Sequence, residues 1–296
     1  MKRTNNNYFR ILTIIPMFAL GLLFSCIDNV DDVNLPRVDP KLVVQSFIGP
    51  NDSLIVTVKA SRPINYNVPT TGGWSSDEYV VITDATVTIK NTKTNEGVTL
   101  PYISSIGKYA ITANEFSVEN DEEYSLSVSA NGYKSVSAST KVPNSYSVVS
   151  EITFDTLSVN QYGDRTIIAS GFISDSPGEV NYYSVTLYQL STYNWSGTDE
   201  TYINFFSRVL LTDKGKDGED LSFKIEMWDY QSDDKKIYIY VHSTDEHFYR
   251  FHKSLENIED YMDNPFAESS IMYSNVEGGL GVFASQLHLI TIISQK

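Results

Sequence analysis

Hydrophobic and polar residues alternate along most of the chain beyond Pro40. Residues 85–90, 124–130 and 221–227 place apolar side chains at every second position, with Ser, Thr, Lys or Glu between them. A period of two indicates strands with one buried and one solvated face, as in antiparallel sheets. Further segments of this kind predict strands at 41–48, 53–60, 97–103, 107–112, 134–142, 166–173, 180–190, 202–211, 236–242 and 286–293.

One segment departs from this period. Its apolar residues recur at spacings of three and four, which places them on one face of a helix. The pattern therefore predicts a helix at about 244–262 that lies across a sheet, and Ser243 with Glu246 fits a capping box at its start. The apolar residues are Phe248, Phe251, Leu255, Ile258 and Met262.

Turn residues near Pro143 indicate a boundary between two domains. Residues 41–143 contain about seven short segments of strand pattern, which favours an immunoglobulin/transthyretin-like β-sandwich. Residues 146–296 combine longer strands with the helix and predict a second β-rich domain. The expected fold class is thus mainly β, with one α-helix in the C-terminal domain.

The composition excludes some classes of partner and of cysteine-based site. Acidic side chains outnumber basic ones by 37 to 22, and the formal net charge is −15. Nucleic acid is therefore a poor partner, because affinity for it comes from Lys and Arg that neutralise phosphates. A single Cys in 296 residues excludes an intrachain disulfide, a Cys-based zinc site and an iron–sulfur cluster.

The first 25 residues have the features of a secretory signal. Lys2, Arg3 and Arg10 form a positive start, and an apolar run over 11–24 follows. A transmembrane helix requires about 18 apolar residues or more, so this run is too short to span a membrane permanently. We therefore predict that residues 1–25 are a signal peptide.

The end of this segment, Leu23-Phe24-Ser25-Cys26, resembles a bacterial lipobox. In such signals a peptidase cuts before the Cys, whose thiol and new amine then carry acyl chains. Each buried methylene is worth about 0.8 kcal/mol, so two or three chains hold a protein on a membrane almost permanently. Cys26 is the predicted lipid attachment residue, with an ordinary apolar residue as the alternative. Residues 26–40 then form a solvated acidic tether.

Catalytic and metal-binding patterns give little signal. Among the histidines (His242, His247, His252 and His288), His247 and His252 lie five apart, about 140° around a helix, and cannot chelate one metal together. No Gly-x-Ser-x-Gly elbow is present, and the Ser-x-x-Lys match at 105–108 lacks its partner motifs. The 37 acidic residues make some carboxylate pair inevitable, so a pair is no sign of glycoside hydrolysis. We predict no catalytic residue.

An acidic run that begins at Asp213 is superficially similar to a calcium loop. An EF-hand needs oxygen ligands at positions one, three and five and Glu at position twelve. Here position three is Gly215 and position twelve is Lys224. An acidic hairpin turn is favoured, with weak calcium binding as the alternative, and we predict no metal or other cofactor.

The chain is rich in aromatic residues, with 20 Tyr and 3 Trp, and this richness suggests a binding surface. Tyr193, Trp195 and Tyr202 cluster around the polar break at 196–200, and Trp74 lies in a long loop of the first domain. Flat rings with a polar edge suit sugar faces and protein interfaces. Tyr also favours strands for packing reasons alone. These four residues are the candidate contacts for a glycan, peptide or protein partner.

Several short segments occur in this order after Cys26 and its acidic stretch: KLVV (41–44), DATVTI (84–89), GKY (107–109), YSLSV (124–128), PGEVNYY (177–183) and NVEGGLGVF (275–283). Glycines in the last segment are expected to allow a bulge, positive φ or close backbone approach at a sheet edge. Together the segments resemble the family of Bacteroidota outer-membrane lipoproteins catalogued as domain of unknown function 4249 (DUF4249), from Cys26 to nearly the end of the chain.

This resemblance implies a role beside nutrient import, since family members are typically predicted lipoproteins encoded near TonB-dependent receptors. No catalytic residues are established for the family, so none is carried over. The expected function is a non-catalytic outer-membrane lipoprotein, accessory to a TonB-dependent receptor, with the cell surface slightly favoured over the periplasmic face. The alternatives are a surface hydrolase on glycan or peptide, and an adhesin or structural envelope protein.

Overall fold

A computed structural model of the chain describes residues 39–61, 80–161, 165–195, 198–229, 235–263 and 271–293. Within these ranges the fold is mainly β with one α-helix, as the sequence predicts. The described residues belong to a compact unit that spans Asp39–Lys296. The elements are β1 Leu42–Ile48, β2 Leu54–Ala60, β3 Thr86–Asn91, β4 Gly97–Leu100, β5 Tyr102–Ile103, β6 Lys108–Ile111, β7 Glu123–Ser129, β8 Val136–Lys141, β9 Val148–Val159, β10 Arg165–Ser174, β11 Tyr182–Trp195, β12 Thr198–Thr212, β13 Leu221–Asp229, β14 Lys235–Thr244, α1 Glu246–Asp263 and β15 Leu280–Ile293.

The central element is an eight-stranded sheet in the order β12-β11-β14-β15-β1-β2-β6-β5. Its two halves meet at β15, which pairs in parallel with β1 through its first half and antiparallel with β14 through its second half. Strands from both sides of the predicted boundary near Pro143 therefore share one sheet. The exact domain division stays a prediction.

Two smaller sheets cover one face of the central sheet. The four-stranded sheet β4-β3-β7-β8 packs over β1 and β2, and the three-stranded sheet β13-β10-β9 packs over β11 and β14. Each small sheet encloses a hydrophobic core with the central sheet, and alternate residues of the central strands point into these cores. Val185 and Ile239 lie in the core under the three-stranded sheet, and Val44 and Phe283 lie in the core under the four-stranded sheet. This burial pattern confirms the period of two and gives a sandwich-like arrangement.

Helix α1 lies on the opposite face of the central sheet. Phe248 and Phe251 pack against Val282 and Ala284 of β15 and against Phe47 of β1. The predicted helix at about 244–262, with its apolar stripe on a sheet, is confirmed. Within the described part of the chain, no helix is both long enough and apolar enough to span a membrane.

The capping box predicted at Ser243 is wrong. The N-cap is Asp245, whose Oδ1 accepts a hydrogen bond of 2.8 Å from the amide of Phe248. Ser243 is still the penultimate residue of β14, and its hydroxyl lies 2.5 Å from that of Ser147. Both Ser and Asp are good N-caps, so the choice depends on where the strand ends, which the local sequence does not specify.

Strand β9, Val148–Val159, is missing from the sequence prediction. It is an edge strand that pairs with β10. One extra residue interrupts its register near Glu151, which has a φ of 53°. A bulge of this kind moves the following side chains to the other face. Ile152 and Phe154 alternate with exposed neighbours, but a second register shift near Leu157 ends this short pattern and the residues beyond it are exposed.

Strand β15 begins at Leu280, ahead of the predicted start at 286. Gly281 has a φ of 115°, and a Cβ added to it would lie 1.8 Å from the carbonyl oxygen of Val44. The close backbone approach expected of the glycine-rich segment is therefore confirmed, but its expected place at a sheet edge is wrong, because β15 lies between β14 and β1. Glycine masks the strand pattern at this point because it contributes no apolar side chain.

Candidate functional site

A groove of about 720 Å³ lies on the face of the central sheet that also carries α1. This volume falls within the range of about 300–1,000 Å³ that is typical of small-molecule sites. Strands β11, β14 and β15 form the floor, while the turn between β1 and β2 and Ile203 of β12 form the rims. The floor residues are Tyr188, Tyr238, Tyr240, His242 and His288.

The period of two places the aromatic rings in the groove. Along β14, Ile237, Ile239 and Val241 enter the core, and the residues between them face the groove. The rings of Tyr188 and Tyr240 meet edge to face with their centroids 5.0 Å apart. Aromatic pairs favour this geometry. The result is a platform of phenol rings that is open on one side.

Asp52 and His288 form the main polar pair of the groove. The Oδ2 atom of Asp52 lies 3.5 Å from Nδ1 of His288. Burial raises the pKa of Asp52, and the charge of a protonated His288 acts in the opposite direction. A carboxylate beside an imidazole can orient a ligand hydroxyl or activate a water molecule, so this pair supports either binding or hydrolysis.

His242 lies deeper in the same groove, with its ring centroid 6.0 Å from that of His288. Burial lowers its pKa to about 3, and the positive charges of His288 and Arg208 add to this effect. The imidazole is therefore neutral at physiological pH. Its Nδ1 atom is buried and has no hydrogen-bond partner among the described residues.

A second polar cluster lies away from the groove. Carboxylate oxygens of Asp175, Asp213 and Asp217 come within 4.8 Å of one another. The hydroxyl of Tyr183 donates to Asp175, and the amide of Asn181 donates to Asp213 at 2.8 Å. Burial, together with the charge of Asp175, raises the pKa of Asp213. The oxygens could bind a Ca²⁺ ion, but their hydrogen-bond donors already stabilise the cluster as a structural junction.

The predicted contact residues divide into two groups. Cys26 and Trp74 lie outside the described residues. Tyr193 and Trp195 belong to the last residues of β11, and Tyr202 belongs to β12, where its backbone pairs with Ser191. The backbone thus brings these three residues into one hairpin, as their sequence clustering suggests. Their side chains lie outside the described part of the structure.

The groove itself was not predicted from the sequence. The alternation of Tyr238, Tyr240 and His242 with apolar residues was a usable signal, because it predicts a ring-rich outer face on β14. The meeting of Asp52 with His288 had no such signal. These residues are far apart in the sequence and approach each other through the pairing of β1 with β15.

A family model described as a domain of unknown function, DUF4249, matches residues 30–287. This match covers most of the chain, including nearly all described strands and α1. Comparison with curated proteins finds no match.

Proposed function

Given that the chain belongs to the family described as domain of unknown function DUF4249, we propose that it is a non-catalytic, lipid-anchored binding protein. It acts at the outer membrane, on the cell surface, as an accessory to a TonB-dependent receptor in nutrient import. The groove holds the nutrient, and the lipid on Cys26 keeps the groove beside the receptor.

The observation that carries this proposal is the groove. It combines an aromatic floor formed by Tyr188, Tyr238 and Tyr240 with polar groups at its edge. Sites for small molecules share this composition, in which apolar and aromatic walls supply contact area and a few polar groups fix the orientation. Rings on paired strands are held rigidly, so little side-chain entropy is lost on binding.

The anchor explains how modest affinity can suffice. A lipidated protein shares a surface with its receptor, so the two meet at a high effective concentration. The acidic tether of residues 26–40 would allow the body to move relative to the membrane. Transfer of a nutrient then requires only weak binding in the groove.

Replacing Cys26 with Ser tests the anchor and the partnership together. Cells grown with a palmitate analogue are expected to label the unaltered protein and leave Cys26→Ser unlabelled, because the acyl chains need the thiol. Tagged, unaltered protein solubilised from outer membranes at native expression is expected to retain a TonB-dependent receptor. Cys26→Ser is expected to lose it. An unlabelled wild-type protein, or reproducible absence of any receptor, would contradict the proposal.

A surface hydrolase is the second candidate because Asp52 and His288 meet inside the groove. If this pair were catalytic, the wild-type protein would turn over some member of a panel of fluorogenic glycosides, esters and peptides. Asp52→Asn and His288→Gln would both abolish that turnover, whereas the exposed Asp84→Asn would not. The binding proposal predicts no turnover by any of these proteins.

A further inference from the structure

Arg208 lies on β12 next to the groove. It pairs directly with Thr186 of β11, on the face of the sheet that carries α1. Its guanidinium carbon lies 5.8 Å from the ring centre of Phe248 and 5.9 Å from that of Phe205. Two aromatic rings therefore flank the cation and remove part of its hydration.

This cation has no anionic partner among the described side chains. Its Nε atom is buried and makes no hydrogen bond within the described part of the chain. Glu256 acts on it only at a distance, and the Glu256 carboxylate is bound to Lys253 at 2.8 Å. A partly buried guanidinium ordinarily pairs with a carboxylate or phosphate, because desolvation without a partner is costly.

Three polar atoms close to Arg208 on the same face also lack partners among the described residues. They are the hydroxyl oxygens of Ser184 and Thr186 and the Nδ1 atom of His242. Ser184 pairs directly with His242 across β11 and β14, as Thr186 does with Arg208 across β11 and β12. Directly opposed residues place their Cβ atoms about 4.5–5.5 Å apart. We call Ser184, Thr186, Arg208 and His242 the Arg208 patch.

The charge of the patch comes from Arg208 alone. Burial lowers the pKa of His242 to about 3 and that of the neighbouring His252 to about 4, and the charge of Arg208 contributes to both. Both imidazoles are therefore neutral at physiological pH. A fixed cation beside two hydroxyl groups and a neutral imidazole matches an oxyanion, which accepts several hydrogen bonds at once.

We propose that the Arg208 patch binds the carboxylate of a small aromatic ligand whose ring system lies on Tyr188, Tyr238 and Tyr240. This inference rests on the proposed binding function and names the class of ligand. Tyr188 lines the groove and contacts Phe205, whose ring lies beside Arg208. The Phe205 side chain is 54% exposed, so the displacement of its ring that admits the carboxylate would cost little buried apolar area.

The acidic character of the whole protein does not oppose this assignment. The net charge is −15, but at physiological salt exposed charges are screened beyond about 8 Å. The binding energy of a carboxylate at the patch therefore depends mainly on Arg208 and the adjacent hydrogen-bond donors. The distant surface carboxylates mainly slow its approach.

The test compares 2-naphthoate with 2-naphthamide, which share a ring system and differ in charge. Equilibrium dialysis uses the full-length chain in lipid nanodiscs, with empty nanodiscs as the blank. We expect naphthoate to bind at least about tenfold more tightly than the amide, as charge-assisted pairing requires. Arg208→Gln is expected to remove this preference. The matched control Arg250→Gln, at an exposed helix position that pairs with Glu246, is expected to keep it.

A second variant covers the case in which Arg208→Gln fails to fold. Thr186→Val keeps the shape of the side chain and removes its hydroxyl, and it is expected to weaken naphthoate about three- to tenfold with no effect on the amide. Any of three outcomes would overturn the inference. The protein could bind both compounds equally, it could bind neither, or folded Arg208→Gln and Thr186→Val could keep the full preference for naphthoate. Equal binding would still leave a functional groove, so the proposed function would survive it. Competition by inorganic phosphate as strong as that by naphthoate would overturn the aromatic part.

Discussion

Replacing Gly281 with alanine is expected to lower the free energy of unfolding by at least about 4 kcal/mol. An added Cβ would lie 1.8 Å from the carbonyl oxygen of Val44, far inside van der Waals contact, and the φ of 115° disfavours any side chain. Relief requires β15 to move away from β1. That movement would break the parallel pairing through which the two halves of the central sheet meet.

Gly132→Ala is the matched control. Gly132 also has a positive φ, of 81°, but an added Cβ meets nothing within 4 Å. This variant is expected to lose about 1 kcal/mol, the cost of a left-handed conformation alone. Urea unfolding of the chain from Ile27 onward, followed by far-UV circular dichroism, measures both. Equal losses in the two variants would contradict the role assigned to the β1–β15 contact.

Replacing Asp245 with Asn is expected to remove most of the pH dependence of stability near neutrality. Burial raises the pKa of Asp245 from 3.8 to about 7, although hydrogen bonds from Thr140 and Phe248 favour the ionised form. Between these two values the folded protein binds more protons than the unfolded chain. Stability therefore falls as pH rises through this window, by about 3 kcal/mol.

Asn at position 245 preserves the helix cap and carries no charge. The variant is expected to match the wild type near pH 4 and to exceed it by about 3–4 kcal/mol at pH 8. Urea unfolding across pH 4–8 measures the difference, with the exposed Asp84→Asn as the control. A variant that is less stable than the wild type at pH 8 would show that the ionised carboxylate contributes net stability at the cap.

Local periodicity predicted much of the fold. The strands β3, β7 and β13 and the helix α1 appear where their alternation or apolar stripe indicates. In a half-buried strand and in an amphipathic helix, the residues that face the core are apolar. The spacing of apolar residues along the sequence therefore predicts both kinds of element. Strand β9 was not predicted, because its edge position and its bulge leave too few buried residues at regular spacing.

The arrangement of the strands could not be predicted in the same way. Pairing of β15 with β1 joins segments from opposite ends of the chain, and no local pattern specifies it. The groove depends on that pairing, since Asp52 and His288 meet only when both strands are in place. Arg208 was equally hard to predict, because a single Arg in a strand sequence gives no sign that it lacks an anionic partner among the described residues.

Native mass spectrometry tests the central claim most directly. The intact lipidated protein, released from outer membranes and exposed to an extract of the growth medium, is expected to carry a small-molecule adduct. Ser53→Trp places an indole at the rim of the groove and should abolish the adduct. Ser127→Trp, on the exposed face of β7, should retain it. Absence of any adduct on the wild-type protein, or its persistence in Ser53→Trp, would contradict a binding function for the groove.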